Sequence, residues 1–286
     1  MHLYITPEVA ALIDLALVED SVGYDVTSQA FFAYEDRSRA RLVAKEPLVM
    51  CGAPVASAVF ARVDEAVEVA WSVPEGEGVE AGAVICELEG PVISLLVGER
   101  TALNFLQRMC GVATTTAAHV AALGESSTKI ADTRKTLPGW RLLDKYAVRC
   151  GGGVNHRLSL GGGVMLKENH IAAAGGIEEA VAAARRKMPH TLRVEVEVEE
   201  LGQLEEALRS GAEIIMLDNM DRDDMAKAVA KIRGDQRGEG VVIEASGNMT
   251  LERLPELSDL GLDVISIGGL THSVKAADIS MRMEGT

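Results

Sequence analysis

The chain has 286 residues, of which 48% are hydrophobic and 25% are charged, so it is long enough for one large or two smaller globular domains. Its formal net charge of −15 argues against nucleic acid as a main partner, because a phosphate backbone requires a broad basic surface. The sequence contains no run of about 18 apolar residues, and acidic residues interrupt the apolar stretch near its N-terminus, so we expect neither a membrane span nor a signal peptide.

The four cysteines, at positions 51, 86, 110 and 150, have neither the spacing of a metal site nor the density of a disulfide framework. Free thiols are typical of a reducing compartment. We therefore expect a cytoplasmic protein.

The N-terminal region has the pattern of a small α+β domain. Thr6, Pro7 and Glu8 are typical of a helix start, and the amphipathic pattern that follows predicts a helix to about Asp20. Glycines and prolines then separate short β-rich runs, and one further helix is predicted at 54–63. The predicted strands are 40–44, 48–51, 67–73, 84–89 and 92–96.

A long helix is predicted at 99–123, and after it strands and helices alternate. Strands separated by single helices pair in parallel through right-handed crossovers, and about six such units favour a closed or nearly closed barrel. A last helix is predicted at about 274–283. The predicted strands are 129–131, 164–167, 192–198, 214–217, 241–244 and 264–267.

The segment 132–170 is a cationic island in an acidic chain. It has seven Lys or Arg residues and three acids, a formal charge of +4 (7 − 3). Arginine and lysine bind carboxylate and phosphate oxygens through charge-assisted hydrogen bonds, so the segment suits a small polyanionic ligand. The alternative is a basic helix face that pairs with nearby acids.

Polar residues follow almost every predicted barrel strand, where such barrels place their functional groups. Glu195, Glu197 and Glu199 alternate along one strand and should share one face. We expect that face to point into the barrel, although a solvated edge strand is the alternative. The glycine-containing strand ends at 246–248 and 268–269 offer backbone N–H groups to a phosphate. Together these features suit a phosphorylated substrate with further anionic groups, and Mg²⁺ held through oxygens.

Several separated motifs make the chain similar to the quinolinate phosphoribosyltransferase family, also called nicotinate-nucleotide pyrophosphorylase. The motifs lie at 99–104, 132–139, 145–148, 151–157, 167–170, 195–198, 216–219, 244–247 and 270–273. The resemblance implies an open, TIM-like α/β barrel of about seven parallel strands with an N-terminal α+β sandwich-like domain. We assign 1–105 to the N-terminal domain and 106–273 to the barrel, and expect a C-terminal helix within 274–286 to pack on the N-terminal domain.

The resemblance also implies an activity and an assembly. Such enzymes transfer phosphoribosyl from 5-phosphoribosyl 1-diphosphate to quinolinate in the presence of Mg²⁺. The products are nicotinate mononucleotide, CO₂ and diphosphate, for NAD synthesis. The implied assembly is a homodimer in which the N-terminal domain of one subunit covers the barrel mouth of its partner, with further assembly left open.

The resemblance assigns roles by position. Arg100 would reach the neighbouring subunit's site, while Arg134, His156 and Arg157 would hold the two pyridine carboxylates. The expected catalytic residues are Lys135, Lys167, Glu197 and Asp218. The lysines would lie between dicarboxylate and diphosphate, and the two acids at the ribose hydroxyls or beside Mg²⁺, which the diphosphate would hold without a direct protein ligand. The other expected substrate-binding residues, mostly for the 5-phosphate, are Thr133, Ser246, Gly247, Asn248, Gly268, Gly269, Leu270 and His272.

Two departures from the family pattern and three alternatives remain. Many relatives have Asp where this chain has Gly161, Gly162 and Gly163, and Asn248 replaces a common Gly. The alternative functions are a molybdenum-transport-linked paralogue of the same fold, a barrel aldolase that uses Lys167 as a Schiff base, and a sugar-phosphate-binding barrel without catalysis.

Overall fold

The computed structural model describes residues 3–20, 23 and 25–284. The chain divides into two compact units. The N-terminal unit comprises residues 1–117, 136–152 and 270–286, and the barrel unit comprises residues 118–135 and 153–269. The predicted division between residues 105 and 106 follows chain order, whereas these units are discontinuous in sequence.

Helices and strands cover most of the described residues. The helices are α1 (Pro7–Glu19), α2 (Val26–Phe31), α3 (Ala53–Val63), α4 (Val92–Ala122), α5 (Arg141–Cys150), α6 (Glu168–Ala174), α7 (Ile177–Lys187), α8 (Gln203–Ser210), α9 (Arg222–Gly234), α10 (Leu254–Leu257) and α11 (Gly269–His272). The strands are β1 (Arg37–Ala44), β2 (Leu48–Val49), β3 (Glu68–Trp71), β4 (Gly78–Val79), β5 (Val84–Pro91), β6 (Lys129–Ala131), β7 (Val164–Leu166), β8 (Val194–Val198), β9 (Ile214–Asp218), β10 (Val242–Ser246), β11 (Val264–Ser266) and β12 (Ile279–Met283). Short 3₁₀ helices lie at Leu160–Gly162 and Gln236–Gly238.

The main sheet of the N-terminal unit is antiparallel, with strand order β12-β1-β5-β3, and β2 and β4 form a separate pair. The C-terminal helix predicted at 274–283 is wrong, because residues 279–283 form β12. Ile279 pairs with Ala44 and Met283 pairs with Ala40 of β1. Main-chain pairing with a long strand therefore overrides the helix preference of the local lysine, alanine and methionine residues. Residues 285 and 286 lie outside the described part of the chain.

Helix α4 begins seven residues earlier than predicted, so the strand predicted at 92–96 is also wrong. A short apolar run does not distinguish a strand from a buried helix turn. Here Val92 and Leu95 are buried as part of one helix face. A Cβ at Gly98 would lie 2.7 Å from the Phe60 ring, so this glycine allows α4 to pack closely on α3.

The barrel unit contains six parallel strands in the order β6-β11-β10-β9-β8-β7. An isolated parallel bridge between Ala131 and Val154 adds one further short segment to the sheet beside β6. A helix connects most successive strands, and all five residues of β8 are buried, as expected for a parallel sheet covered on both faces. The predicted open α/β barrel with an N-terminal α+β unit is confirmed.

The described helices include none with both the length and the apolar character that a membrane crossing requires. The four cysteines are free and buried.

Candidate active site

A cavity of about 490 Å³ lies within the barrel unit, at the carboxyl ends of its strands. It unites residues from the loops after β6, β7, β9 and β10 with the segment 155–157. The lining residues are Thr133, Arg134, Lys135, His156, Arg157, Met165, Lys167, Met216, Asp218, Asn219, Ser246, Gly247, Asn248 and Ser266. Four of the seven Lys or Arg residues of the segment 132–170 therefore share one concave surface: Arg134, Lys135, Arg157 and Lys167. Arg141, Lys145 and Arg149 do not line it.

One side of the cavity, which we call the arginine end, is formed by Arg134, His156 and Arg157. The Arg157 guanidinium donates to the backbone oxygen of Gly163 at 2.9 Å, which fixes its orientation. Partial burial and the positive charge of Arg134 lower the pKa of Arg157. Two like charges held close together favour the binding of an anion between them.

His156 is held on both of its ring nitrogens. The backbone N–H of Arg157 donates to Nδ1 at 2.7 Å, so the ring proton belongs on Nε2. Nε2 lies 3.5 Å from a carboxylate oxygen of Glu195 and 3.5 Å from one of Glu244. The ring therefore joins the arginine end to two carboxyl groups in the barrel interior.

Glu195 and Glu244 are 4% and 3% exposed. Burial, and then the negative charge of Glu195, raise the pKa of Glu244 to about 7. Two carboxyl groups so close together in a protein interior do not both ionise readily. Near neutral pH, the pair therefore retains a proton for part of the time.

Carboxylates and lysines occupy the middle of the site. Lys167 Nζ lies 2.6 Å from Glu197 Oε2, and carboxylate oxygens of Glu197, Glu199 and Asp218 lie within 4.8 Å of one another. Partial burial, and then the charge of Glu197, raise the pKa of Asp218, while Lys167 and Lys135 oppose this shift. Clustered carboxylate oxygens are the donors that Mg²⁺ prefers, so the donor set fits that ion.

The alternating glutamates lie on one side of the strand, as the sequence predicted. Glu195 and Glu197 are buried on the strand, as expected of an inward face. Glu199 lies just beyond the end of β8 at Val198 and is exposed, but its carboxylate lies within 4.8 Å of those of Glu197 and Asp218, so it stays on the side of the strand that the alternation predicts.

A second part of the cavity wall, which we call the amide end, is formed by Ser246, Gly247 and Asn248 at the end of β10. Gly247 and Asn248 both have left-handed backbone conformations, with φ of +83° and +50°. A Cβ at Gly247 would overlap the side-chain oxygen of Asn219 and lie 2.9 Å from its backbone nitrogen. The turn therefore requires glycine at 247, and such turns expose backbone N–H groups that bind anions.

Asn219 links two strand ends at the amide end. Its backbone N–H donates to the carbonyl of Ser246 at 3.0 Å, and its side-chain oxygen accepts from Asn248 at 3.3 Å. Its side-chain amide donates to Asp218 at 2.7 Å. The substitution of Asn248 for a common glycine is thus accommodated, because asparagine tolerates the left-handed region and its amide gains a contact.

The quinolinate phosphoribosyl transferase N-terminal domain family matches residues 25–110 of the chain, and the C-terminal domain family matches residues 112–282. The chain belongs to the quinolinate phosphoribosyl transferase family. It is 44% identical to the probable nicotinate-nucleotide pyrophosphorylase [carboxylating] of Bacillus subtilis, covering 94% of this chain and 91% of that protein. It is 41% identical to the human nicotinate-nucleotide pyrophosphorylase [carboxylating], covering 96% and 91%.

Solved structures of the family have the same fold. NadC from Streptococcus pyogenes superposes with a TM-score of 0.93 at 41% identity, covering 99% of each chain. The nicotinate-nucleotide pyrophosphorylase from Francisella tularensis superposes with a TM-score of 0.90 at 38% identity, covering 98% of each chain.

Some residues that the family resemblance selects do not line the cavity. Arg100 is exposed on α4, and His272 is exposed with its Nδ1 2.6 Å from the hydroxyl of Ser273. Leu270 is fully buried, while Gly268 and Gly269 follow β11. Glu197 is buried on β8 and is not among the lining residues either, although it contacts Lys167, which is. The roles assigned to all the selected residues stay predictions.

Four lining residues were not selected from the sequence: Met165, Met216, Asn219 and Ser266. Met165 and Met216 each lie two positions before a selected residue, Lys167 or Asp218. The period of two along a strand would have predicted that they share a face with those residues. Nothing in the sequence distinguished these methionines from core side chains.

Proposed function

We propose that this chain transfers phosphoribosyl from 5-phosphoribosyl 1-diphosphate to quinolinate with decarboxylation, giving nicotinate mononucleotide, CO₂ and diphosphate for NAD synthesis. The observation that carries the proposal is one cavity whose lining combines two arginines, two lysines, a carboxylate and a glycine-containing turn at the strand ends. Quinolinate has two carboxylates on neighbouring ring carbons, and the second substrate has a 5-phosphate and a diphosphate. The family membership of the chain supports the same reaction.

The arginine end binds the dicarboxylate in this proposal. Arg134 and Arg157 offer planar guanidinium groups that match carboxylate geometry. The Nδ1 atom of His156 accepts a hydrogen bond from the backbone N–H of Arg157 and so helps to position that residue. The amide end, with Ser246, binds the 5-phosphate.

Glycosyl transfer is helped by charges that match those developing in the transition state. Departure of diphosphate builds positive charge at the sugar C1, and Glu197 and Asp218 stabilise it. Lys135 and Lys167 stabilise the departing oxygens. When bound beside Glu197 and Asp218, Mg²⁺ supplies further neutralisation of diphosphate charge.

The loss of CO₂ requires no general base from the protein. Once ribosylated, the positively charged ring nitrogen accepts the electron pair that the broken carbon–carbon bond leaves on the neighbouring ring carbon. That carbon then takes up a proton, and the second carboxylate stays on the ring.

Release of labelled CO₂ from carboxyl-labelled quinolinate tests the proposal. We expect release that depends on both 5-phosphoribosyl 1-diphosphate and Mg²⁺. Binding of the sugar phosphate without CO₂ release would instead favour a sugar-phosphate-binding protein. Borohydride trapping of a carbonyl substrate on Lys167, without quinolinate turnover, would favour an aldolase. Sugar-phosphate binding together with a ligand other than quinolinate would favour the molybdenum-linked paralogue.

We also propose a cytoplasmic homodimer in which Arg100 of one subunit completes the partner's site. Arg100→Ala and Lys135→Ala should each remove activity, because each leaves every site of its own homodimer defective. Mixed dimers should recover activity at one site, since one of their two sites has both residues. Subunit exchange verified by mass, without any recovery, would contradict the shared site.

A further inference from the structure

Asp132 is a fully buried carboxylate at the edge of the cavity. It follows β6 directly and is 0% exposed, although it does not line the cavity itself. A carboxylate so deeply buried is costly unless its oxygens accept hydrogen bonds. Its contacts therefore show what it holds in place.

Both side-chain oxygens of Asp132 accept from the segment that carries the arginine end. Oδ2 accepts from the Asn155 side-chain amide at 2.6 Å, and Oδ1 accepts from the backbone N–H of His156 at 2.9 Å. Parallel backbone bonds continue the link, because Val154 donates to Ile130 at 2.8 Å and Asp132 donates to Val154 at 3.2 Å. The end of β6 is thus joined to residues 154–156 by two backbone and two side-chain bonds.

This joint fixes the spacing of the two arginines. Arg134 lies two residues after Asp132, and Arg157 lies one residue after the tethered His156. Burial, and then the positive charge of Arg134, lower the pKa of Arg157. The two guanidinium groups therefore repel each other when no anion lies between them. The Asp132 carboxylate, which is bonded to Asn155 and His156, opposes that repulsion and keeps the two segments at a fixed separation.

We propose that Asp132, acting through Asn155 and His156, is a positioning residue that sets the separation of Arg134 and Arg157 for a 1,2-dicarboxylate. The inference rests on the proposed function and deepens it, since it concerns only the dicarboxylate end. The amide end is held by different contacts, which join Asn219 to Ser246 and Asn248.

The test measures both substrate KM values in Asp132→Ala and Asn155→Ala. We expect the quinolinate KM to rise at least about tenfold in Asp132→Ala, which removes the acceptor of both tethering hydrogen bonds, and about threefold in Asn155→Ala, which removes one of them. The KM for 5-phosphoribosyl 1-diphosphate should stay within about twofold in both. Similar rises in both KM values, or an unchanged quinolinate KM, would overturn the proposal.

Exchanging the carboxylate of Asp132 with the amide of Asn155 distinguishes a positioning role from simple misfolding of the variants. Asn155→Asp alone places two carboxylates 2.6 Å apart and should raise the quinolinate KM more than Asn155→Ala. The double variant D132N/N155D reverses donor and acceptor while leaving an oxygen for the His156 N–H, so it should recover most of the quinolinate affinity. Failure of the double variant to improve on Asn155→Asp would count against the positioning role.

Asp64→Ala is the matched control. Asp64 also accepts a backbone N–H, from Ala66 at 2.9 Å, and the side-chain hydroxyls of Ser94, at 2.7 Å, and Tyr34. It is less buried than Asp132 and belongs to the N-terminal unit. We expect a lower melting temperature with no change in the ratio of the two KM values. A selective change in the quinolinate KM of this control would show that general destabilisation produces the same split, and would overturn the proposal.

Direct binding separates this inference from the proposed function. Calorimetry with quinolinate alone reports the arginine end without any turnover. If the wild-type protein binds quinolinate but releases no CO₂, the proposed function fails, while the comparison of Asp132 variants is still decisive. If the wild type turns over quinolinate and the variants bind it as well as the wild type does, only the positioning role fails.

Discussion

The two ends of the cavity offer anions different kinds of partner. At the arginine end, charged side chains from separate segments converge, and buried carboxyl groups contact the backbone N–H and the ring of His156. At the amide end, the backbone adopts left-handed conformations at successive residues, and the side-chain amide of Asn248 donates to that of Asn219. This neutral hydrogen bond joins the ends of two neighbouring strands. The first end depends on charge and the second on chain geometry.

This difference suits the two ligands. A planar dicarboxylate has two fixed charges that bidentate cations can recognise at a set spacing. A phosphate is nearly symmetrical, and a ring of backbone N–H groups accommodates it without long, flexible side chains. Substitutions at the two ends should therefore affect the two substrates separately.

Arg134→Ala should have the largest effect. Removing one of the two guanidinium groups should weaken quinolinate binding by about a hundredfold, because a charge-assisted contact is lost in a partly buried site. Binding of 5-phosphoribosyl 1-diphosphate should be largely retained. Calorimetry with each ligand alone measures both effects, and equal losses for both would contradict separate ends.

Gly247→Ala should produce the opposite selectivity. The added methyl group forces Asn219 to move and strains a left-handed turn, so the KM for 5-phosphoribosyl 1-diphosphate should rise about tenfold or more. The quinolinate dissociation constant should change little. Gly240→Ala is the matched control, because Gly240 has a similar φ of +76° and open space around it. If Gly240→Ala raises the KM for 5-phosphoribosyl 1-diphosphate equally, the steric conflict between the added methyl group and Asn219 does not explain the effect of Gly247→Ala.

The carboxyl pair behind the arginine end predicts a pH-dependent stability. The pKa of Glu244 is raised from 4.5 to about 7 in the folded protein, so the folded state binds this proton more tightly than the unfolded state. The wild type should therefore lose stability from this group as the pH rises from about 5 to about 8, because the folded state must give up the proton at a cost. Glu244→Gln has no such proton to lose.

Thermal unfolding of Glu244→Gln and the wild type at these two pH values measures the effect. The melting temperature of the variant relative to the wild type should increase by a few degrees between the lower and the higher pH. Glu80→Gln, at an exposed position, controls for removal of a charge. A pH-independent difference would contradict a raised pKa for Glu244.

Asn248→Gly should have the smallest effect. Glycine adopts the left-handed turn without strain, and only the 3.3 Å contact with Asn219 is lost. We expect the KM for 5-phosphoribosyl 1-diphosphate to change by less than about threefold. A tenfold change would mean that the Asn248 side chain itself contacts the ligand.

The sequence predicted the barrel because short strands and helices alternate regularly after the long helix α4. It failed where a segment is defined by its neighbours. Residues 279–283 form a strand because β1 supplies a pairing edge, and Val92 begins a helix although an apolar run of this length also suits a strand. Local preference is weak at both places, and tertiary contacts decide.

The site followed the same rule. The charged residues of the arginine end could be selected from composition and motifs, and the structure brings Arg134, His156 and Arg157 together. The supporting groups could not, because the roles of Asp132 and Asn219 depend on hydrogen bonds between segments distant in sequence or on neighbouring strands. An alternating pattern also does not predict where a strand ends, so it could not show that β8 ends at Val198 and leaves Glu199 exposed.

A crystal structure with quinolinate and an unreactive analogue of 5-phosphoribosyl 1-diphosphate tests most directly whether one cavity binds both substrates at its two ends. We predict the two carboxylates against Arg134 and Arg157, and the 5-phosphate against the backbone N–H groups of Gly247 and Asn248. A dicarboxylate bound outside this cavity, or a 5-phosphate held by the arginines, would contradict it.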